Sequence, residues 1–251
     1  MCCASVVVIL TKLFLQMRVL KAVLNLANKI FAVSLSLAFA QPSFGQEIPV
    51  LEWAAGTSSN TGQMIVYWST VDTSGNSFIC GFFSGTADLD PGPAVSNATV
   101  IGGRDIFVVK VDVNGNLIWS KTFGGTGNDE AYGVAVDNTG NVFISGGFSS
   151  TVDFDNTAGV ANLVSISALD GFVLKLDMNG DYIWVKHFAS TSFDNPIYGI
   201  KIHPLGGVCF TGIFIGTADV DPGVGVFNLT SAGTADIFVE RLDNKIGRAH
   251  V

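Results

Sequence analysis

The sequence predicts an all-β protein built from a tandem array of four-stranded antiparallel units. Two observations carry this reading. The stretch from Asp105 to Phe148 recurs as Asp170 to Phe214; its end appears earlier as Ser74 to Phe83 and its start later as Asp236 to Asp243. Matched positions fall 65 or 66 residues apart: Trp53, Trp119 and Trp184; Asp88, Asp153 and Asp219; Phe107, Phe172 and Phe238; Gly81, Gly146 and Gly212. A fixed period of this size marks a repeat architecture. The second observation is compositional. With 29 glycines, 19 phenylalanines and only 14% charged residues, the chain reads as short apolar runs punctuated by turns, the pattern of strands rather than helices.

Residues 1–45 read as a secretory leader. Met17, Arg18, Lys21 and Lys29 precede the apolar run Ile30 to Ala40, and small residues bracket two cleavage points, after Ala40 and after Gly45. That is the order of a signal peptide, with Met17 as an alternative start. Asn25, Asn28 and Lys29 interrupt the run well short of the ~20 apolar residues of a membrane span. Residues 46–245 are then the repeat body. All 21 acidic residues fall after position 46, whereas Lys12, Arg18, Lys21 and Lys29, four of the 13 basic residues, come before it. So acidic a body excludes phosphate-backbone and anionic-lipid partners. Cys80 and Cys209 stand at non-equivalent repeat positions, without Cys-x-x-Cys spacing, and read as small core residues.

The body opens on Ile48 to Gly56, where Trp53 matches a repeat's last strand. The middle repeat shows the full set. Tyr132 to Asp137, a turn at Asn138 to Asn141, and Val142 to Phe148 make one hairpin. Phe172 to Asp177, a turn at Met178 to Asp181, and Tyr182 to Phe188 make another. Glycine within Asp-x-x-Gly supplies the positive φ of a tight turn, and Asn-Gly between apolar runs is a strong hairpin signal. Val109-Lys110-Val111-Asp112 alternates apolar and charged residues, as a half-solvated strand does. Four antiparallel strands per unit are the content of one propeller blade. The expected architecture is a partial β-propeller of about three blades, truncated at its C-terminal end. The closing residues 246–251, IGRAHV, break the pattern and resemble a translated sequencing-adapter oligonucleotide, so they are expected to be no part of the protein. A chain cut within a blade is further expected to leave an apolar blade face open.

The blocks GNVFISGGFSSTVDFD, FNLTSAGTADIFVERLD and NGNLIWSKTFGGTGNDEAYGVAVD resemble the secreted seven-bladed β-propeller repeat (SBBP) family of bacteria, over roughly residues 51 to 243. The resemblance implies a secreted or cell-surface propeller, often one module of a longer protein. It implies no catalytic residues and no established chemistry. His203-Pro204-Leu205-Gly206 departs from the pattern where the middle repeat has Asp137-Asn138-Thr139-Gly140.

Candidate chemistry centres on the long connection between the second and third strands. It carries Asp88 with Asp90, Asp153 with Asp155, and Asp219 with Asp221. In an extended Asp-x-Asp both carboxylates face one side, and paired hard oxygens suit Ca²⁺. The competing reading makes the same aspartates turn caps, finished by Pro91-Gly92 and Pro222-Gly223. Asp105, Asp170 and Asp236, like Asp112, Asp177 and Asp243, read as turn and strand-end caps. Trp119 and Trp184 read as packing between blades. His187 and His203 break the repeat, but no nucleophile accompanies them in a triad-like arrangement. Gly124 to Gly127 lacks the Lys-Ser/Thr and the helix of a phosphate loop. The reading is a non-enzymatic, secreted or surface-bound scaffold for a protein or polysaccharide ligand. The alternative is a piece of a secreted propeller enzyme acting on glycans, its catalytic part elsewhere.

Overall fold

The computed structural model describes residues 54, 56–59, 61–189, 196–221, 223 and 225–243, all within one compact unit, Glu52–Val251. The expected leader, Trp53 and the IGRAHV tail lie outside the described residues. Every regular element among the described residues is a strand. After β1 (Ser58–Ser59), the first blade holds β2 (Met64–Val71), β3 (Ser77–Phe83), the ribbon β4 (Thr86–Asp88) and β5 (Asn97–Thr99), then β6 (Asp105–Val111) and β7 (Leu117–Phe123). The second repeats this as β8 (Glu130–Val136), β9 (Val142–Phe148), ribbon β10 (Thr151–Asp153) and β11 (Asn162–Val164), β12 (Asp170–Leu176) and β13 (Tyr182–Phe188). The third has β14 (Ile197–Ile202), β15 (Val208–Phe214), ribbon β16 (Thr217–Asp219) and β17 (Asn228–Thr230), and β18 (Asp236–Leu242). The blades are the antiparallel sheets β2-β3-β6-β7, β8-β9-β12-β13 and β14-β15-β18. The strands and their order are those the repeat predicts, and the chain is a partial β-propeller.

The hairpin turns follow from one aspartate each. Asp72 accepts the N–H groups of Ser74 and Asn76 on Oδ1, while Gly75 N–H closes on the Asp72 carbonyl. Asp112, Asp137 and Asp177 repeat the device. Gly75, Gly115, Gly140 and Gly180 take φ of 80–85°. Among the described residues only Ser150 joins the glycines at positive φ, so Asn114 and Asn179 do not. The loop is therefore a type I turn closed by a left-handed glycine, not the two-residue turn that Asn-Gly alone suggests. His203 substitutes for the aspartate without loss of geometry: its Nδ1 accepts Leu205 N–H at 3.1 Å.

The core lies between blades. Phe78, Ile106 and Val108 of the first blade pack with Ile144, Phe172 and Leu174 of the second. Phe143 and Val173 of the second pack with Phe210 and Phe238 of the third. Successive residues of a third strand thus face opposite neighbours, Phe172 one way and Val173 the other. This corrects the half-solvated reading of Val109-Lys110-Val111: all seven residues of β6 are buried, because both faces of that sheet are covered. Lys110 is 7% exposed, with its ammonium 5.1 Å from the Phe78 ring centroid. Cys80 is a buried free thiol, as expected, and burial pushes its pKa up to about 12. Cys209 is also free but only half-buried.

Trp119 and Trp184 have matching surroundings: each meets a phenylalanine edge-on, Phe78 at 5.9 Å and Phe143 at 6.1 Å. Trp119 Nε1–H also donates to the Met178 carbonyl of the next blade at 3.2 Å, and Lys121 pairs with Asp181 there. The phenylalanine contacts lie within each blade, whereas the Trp119 bond and the Lys121–Asp181 pair cross to the next one, the interblade role read from the sequence for Trp119.

Candidate functional site

The first strands of successive blades gather together. β8 touches both β2 and β14, and Lys201 of β14 reaches the Trp68 ring of β2. Each first strand carries a bulge, and each bulge falls on a tyrosine. The register skips Tyr67 between Val66 and Trp68, Tyr132 between Ala131 and Gly133, and Tyr198 between Ile197 and Gly199. A bulge inserts one unpaired residue and re-aims its side chain. The residue before each tyrosine pairs with Gly81, Gly146 or Gly212. A Cβ on Gly81 would lie 1.8 Å from the Ile65 carbonyl oxygen, and one on Gly146 would lie 2.0 Å from that of Glu130. The periodic glycines therefore make room for the bulged backbone.

The bulges bring the three tyrosines together. Ring centroids lie 5.1 Å apart for Tyr67 and Tyr132, and 5.2 Å for Tyr132 and Tyr198. Glu130, 7% exposed, accepts the hydroxyls of Tyr67 and Tyr132 on Oε2, both at 3.1 Å. Its Oε1 pairs with Arg104, whose guanidinium lies 4.5 Å from the Phe82 ring centroid. Burial, then the Glu130 charge, pushes both phenols above their ordinary pKa. Tyr67 and Tyr198 remain 41% and 47% exposed. Glu130 and Arg104 occur once: their repeat equivalents are Ile65 and Pro196, and Leu169 and Ala235. Sequence reasoning passed over this cluster. The signal was present, since three of the four tyrosines recur at 65 and 66 residues, but nothing in the pattern announces a bulge.

The nominated aspartates have other tasks. Oδ1 of Asp88 accepts the N–H groups of Asp90 and Ser96; Asp153 accepts those of Asp155 and Ala161, and Asp219 those of Asp221 and Phe227. Asp90, Asp155 and Asp221 each accept the N–H two residues on. Between the pairs, Leu89, Phe154 and Val220 turn into the core, at 2%, 0% and 9% exposure. The connection is thus a ribbon, pinned by its own aspartates. Among the described residues, no three His, Cys, Asp or Glu side chains group as a metal site.

Asp105, Asp170 and Asp236 each cap the preceding turn, accepting the N–H of Ile101, Ile166 and Ala232. Asp170 also bonds His187 Nε2 at 2.7 Å and accepts the Ser167 hydroxyl. Burial pushes Asp170 up, but these bonds outweigh it and hold it below the usual carboxylate range. The serine donates to the carboxylate, not to the imidazole, so the trio lacks the hydroxyl-to-histidine step of acyl transfer. The Gly124 to Gly127 loop is no phosphate cradle either. Gly125 N–H donates to Asp129 Oδ2 and Asn128 N–H to Ser149 Oγ. Asp129 also accepts Ser149 N–H, and burial pushes its pKa up to about 6.

Residues 118–154 match the family model described as Beta-propeller repeat (SBBP). The chain is also 26% identical over 218 residues to an uncharacterized WD repeat-containing protein of the Acanthamoeba polyphaga mimivirus. That match covers 74% of this chain and 15% of the relative, so the chain spans a small part of the relative's length.

Proposed function

We propose that this chain, which carries the SBBP β-propeller repeat, is a non-enzymatic binding scaffold, secreted or held at the cell surface. One observation carries the reading. The turn and ribbon aspartates, His187 and His203 are held in hydrogen bonds, whereas the rings of Tyr67 and Tyr198 on the first strands stay exposed. A surface of fixed aromatic rings suits binding, and among the described residues no serine or cysteine is hydrogen-bonded to a histidine as an activated nucleophile would be. The repeat family and the WD repeat-containing relative support a scaffold. Secretion rests on the leader at residues 1–45, and the absence of nucleic-acid partners on the acidic body. No helix among the described residues is long and apolar enough to cross a membrane.

The test is a retention assay on immobilised cell-surface polysaccharides, with reducing ends measured over time. Retention without release of reducing ends is the expected result. Sustained release would establish the glycan-cleaving alternative. Expression with the native leader should place the mature protein outside the cytoplasm, with its N-terminus at Gln41 or Gln46; a cytoplasmic product with an intact leader would end the secretion reading.

A further inference from the structure

We propose that Tyr67, Tyr132 and Tyr198 form a binding surface for the pyranose rings of a neutral polysaccharide. The proposal rests on the scaffold reading above and assigns its site and ligand class. Three features of the cluster lead there.

The first is shape. Neighbouring rings stand about one ring-width apart, at 5.1 and 5.2 Å, and tilt by 59° and 37°. Beside Tyr132 and Tyr198 on the same strands, Gly133 and Gly199 present no side chain, while beside Tyr67 the Trp68 ring, 45% exposed, extends the aromatic surface. Such a stepped set of rings with polar tips offers apolar faces beside polar edges, which suits a ligand that is apolar on its faces and polar at its rim. A pyranose offers that combination: axial C–H groups on the face, hydroxyls around the rim.

The second feature is rigidity. Two hydroxyls are tied to Glu130, and Arg104 holds the other carboxylate oxygen. Rings fixed before the ligand arrives lose little entropy on binding. Glu130 is nearly buried, so it is a positioning residue rather than a ligand contact.

The third is charge. Glu130 and Arg104 neutralise one another, so the cluster carries no net charge. A cationic ligand would meet the Arg104 guanidinium, half-exposed at 42% of its side-chain area. An anionic ligand would meet the negative ring faces and an acidic body. A neutral, hydroxyl-rich ligand meets neither penalty, and the half-exposed guanidinium offers its hydroxyls a partner.

The test measures affinity of the full chain for soluble neutral glucan, mannan and galactan, with polygalacturonate, chitosan and a polyproline peptide alongside. At least one neutral polymer should bind, and Tyr198→Ala and Tyr67→Ala should each weaken it tenfold or more while the circular dichroism spectrum is unchanged. Glu130 takes its two hydroxyl bonds from Tyr67 and Tyr132, so the Tyr198 variant leaves those two bonds in place. Glu130→Gln should weaken binding severalfold and lower the pH at which the phenols ionise, read by absorbance; a purely packing role would leave that titration in place. Neutral-polymer binding that survives both tyrosine variants overturns the site, yet leaves the scaffold reading intact. Preferential binding of a charged polymer or the peptide overturns the ligand class. A parent chain that binds none of these probes overturns this proposal, and failure on every cell-surface polysaccharide in the retention assay separately removes the polysaccharide part of the scaffold reading.

Discussion

β12 and β18 hold the same place in successive blades and are nearly opposite in environment. β12 is buried along almost its whole length; β18 alternates. At aligned positions Val173 is 0% exposed and Val239 72%. Both are third strands, both bonded to a second strand with the same register. The difference comes from the neighbours. Beyond Val173 lies the third blade; beyond Val239 no described residue provides such a cover. A strand's burial in this fold is set by the adjacent sheet, not by its own alternation, and the open face here is the one the repeat count leads one to expect.

The largest effect that can sharpen this comparison is a charge at the two valines. Val173→Asp places an unpaired carboxylate between blades and should cost about 4 kcal/mol in urea unfolding. Val239→Asp should change stability by less than about 0.5 kcal/mol. Equal costs at both positions would mean that the third blade's outer face is covered, and the comparison would fail.

The aligned glycines offer a second contrast. A Cβ at Gly146 would collide with the Glu130 carbonyl oxygen at 2.0 Å, backbone that cannot move away. At Gly212 the nearest atom is in the Phe238 ring, at 2.5 Å, and the nearest carbonyl is 2.9 Å away. Phe238 is itself buried against the second blade, but the end of a side-chain ring yields more readily than a backbone carbonyl. Gly146→Ala should therefore cost about 3 kcal/mol, and Gly212→Ala about 1 kcal/mol. Thermal unfolding of the two variants settles the order.

These pairs also show what the sequence could and could not reveal. The repeat made the strands, their order and the Asp-x-x-Gly turns legible, because each depends on residues close in sequence. The periodic glycines were visible, but their reason was not, since the bulge they accommodate lies on a different strand. Lys110 looked solvated because alternation reports one sheet alone and says nothing about the sheet stacked on it. The tyrosine cluster was hidden for a similar cause: Tyr67, Tyr132, Tyr198, Glu130 and Arg104 meet only when three strands far apart in sequence, and the turn before β6, come together.

A third test sits on the open blade itself. Glu240 takes the place of Val109 and Leu174 in the other blades, and its Oε2 is buried without a hydrogen-bond partner. Burial first, then Asp221 and Asp219, raises its pKa from 4.5 to about 8. The folded chain holds that proton longer than the unfolded chain, so stability is full below about pH 4.5 and falls as pH rises toward about 8. Glu240→Gln should be neutral at pH 4 and stabilising at pH 9, by about 1 kcal/mol once solvent screening of a partly exposed group is allowed for. A variant equally stable relative to the parent at both values would mean that the carboxylate is solvated.

The smallest effect concerns calcium at Asp88 and Asp90, Asp153 and Asp155, and Asp219 and Asp221. In each ribbon the first aspartate already spends Oδ1 on two backbone N–H groups, and the second spends its own on one. With Oδ1 spent on the turn, a cation would be held by the remaining carboxylate oxygens and loop carbonyls alone, a smaller donor set than the roughly six to eight oxygens that Ca²⁺ takes. The comparison between blades adds a control, because the first and third ribbons carry Pro-Gly after the second aspartate and the middle one does not. Calcium in millimolar excess, followed by chelation, should move the melting temperature by less than about 1 °C. A rise of several degrees that disappears in Asp153→Asn would locate calcium in the middle ribbon, and the same loss confined to Asp88→Asn or Asp219→Asn would tie it to the Pro-Gly turn.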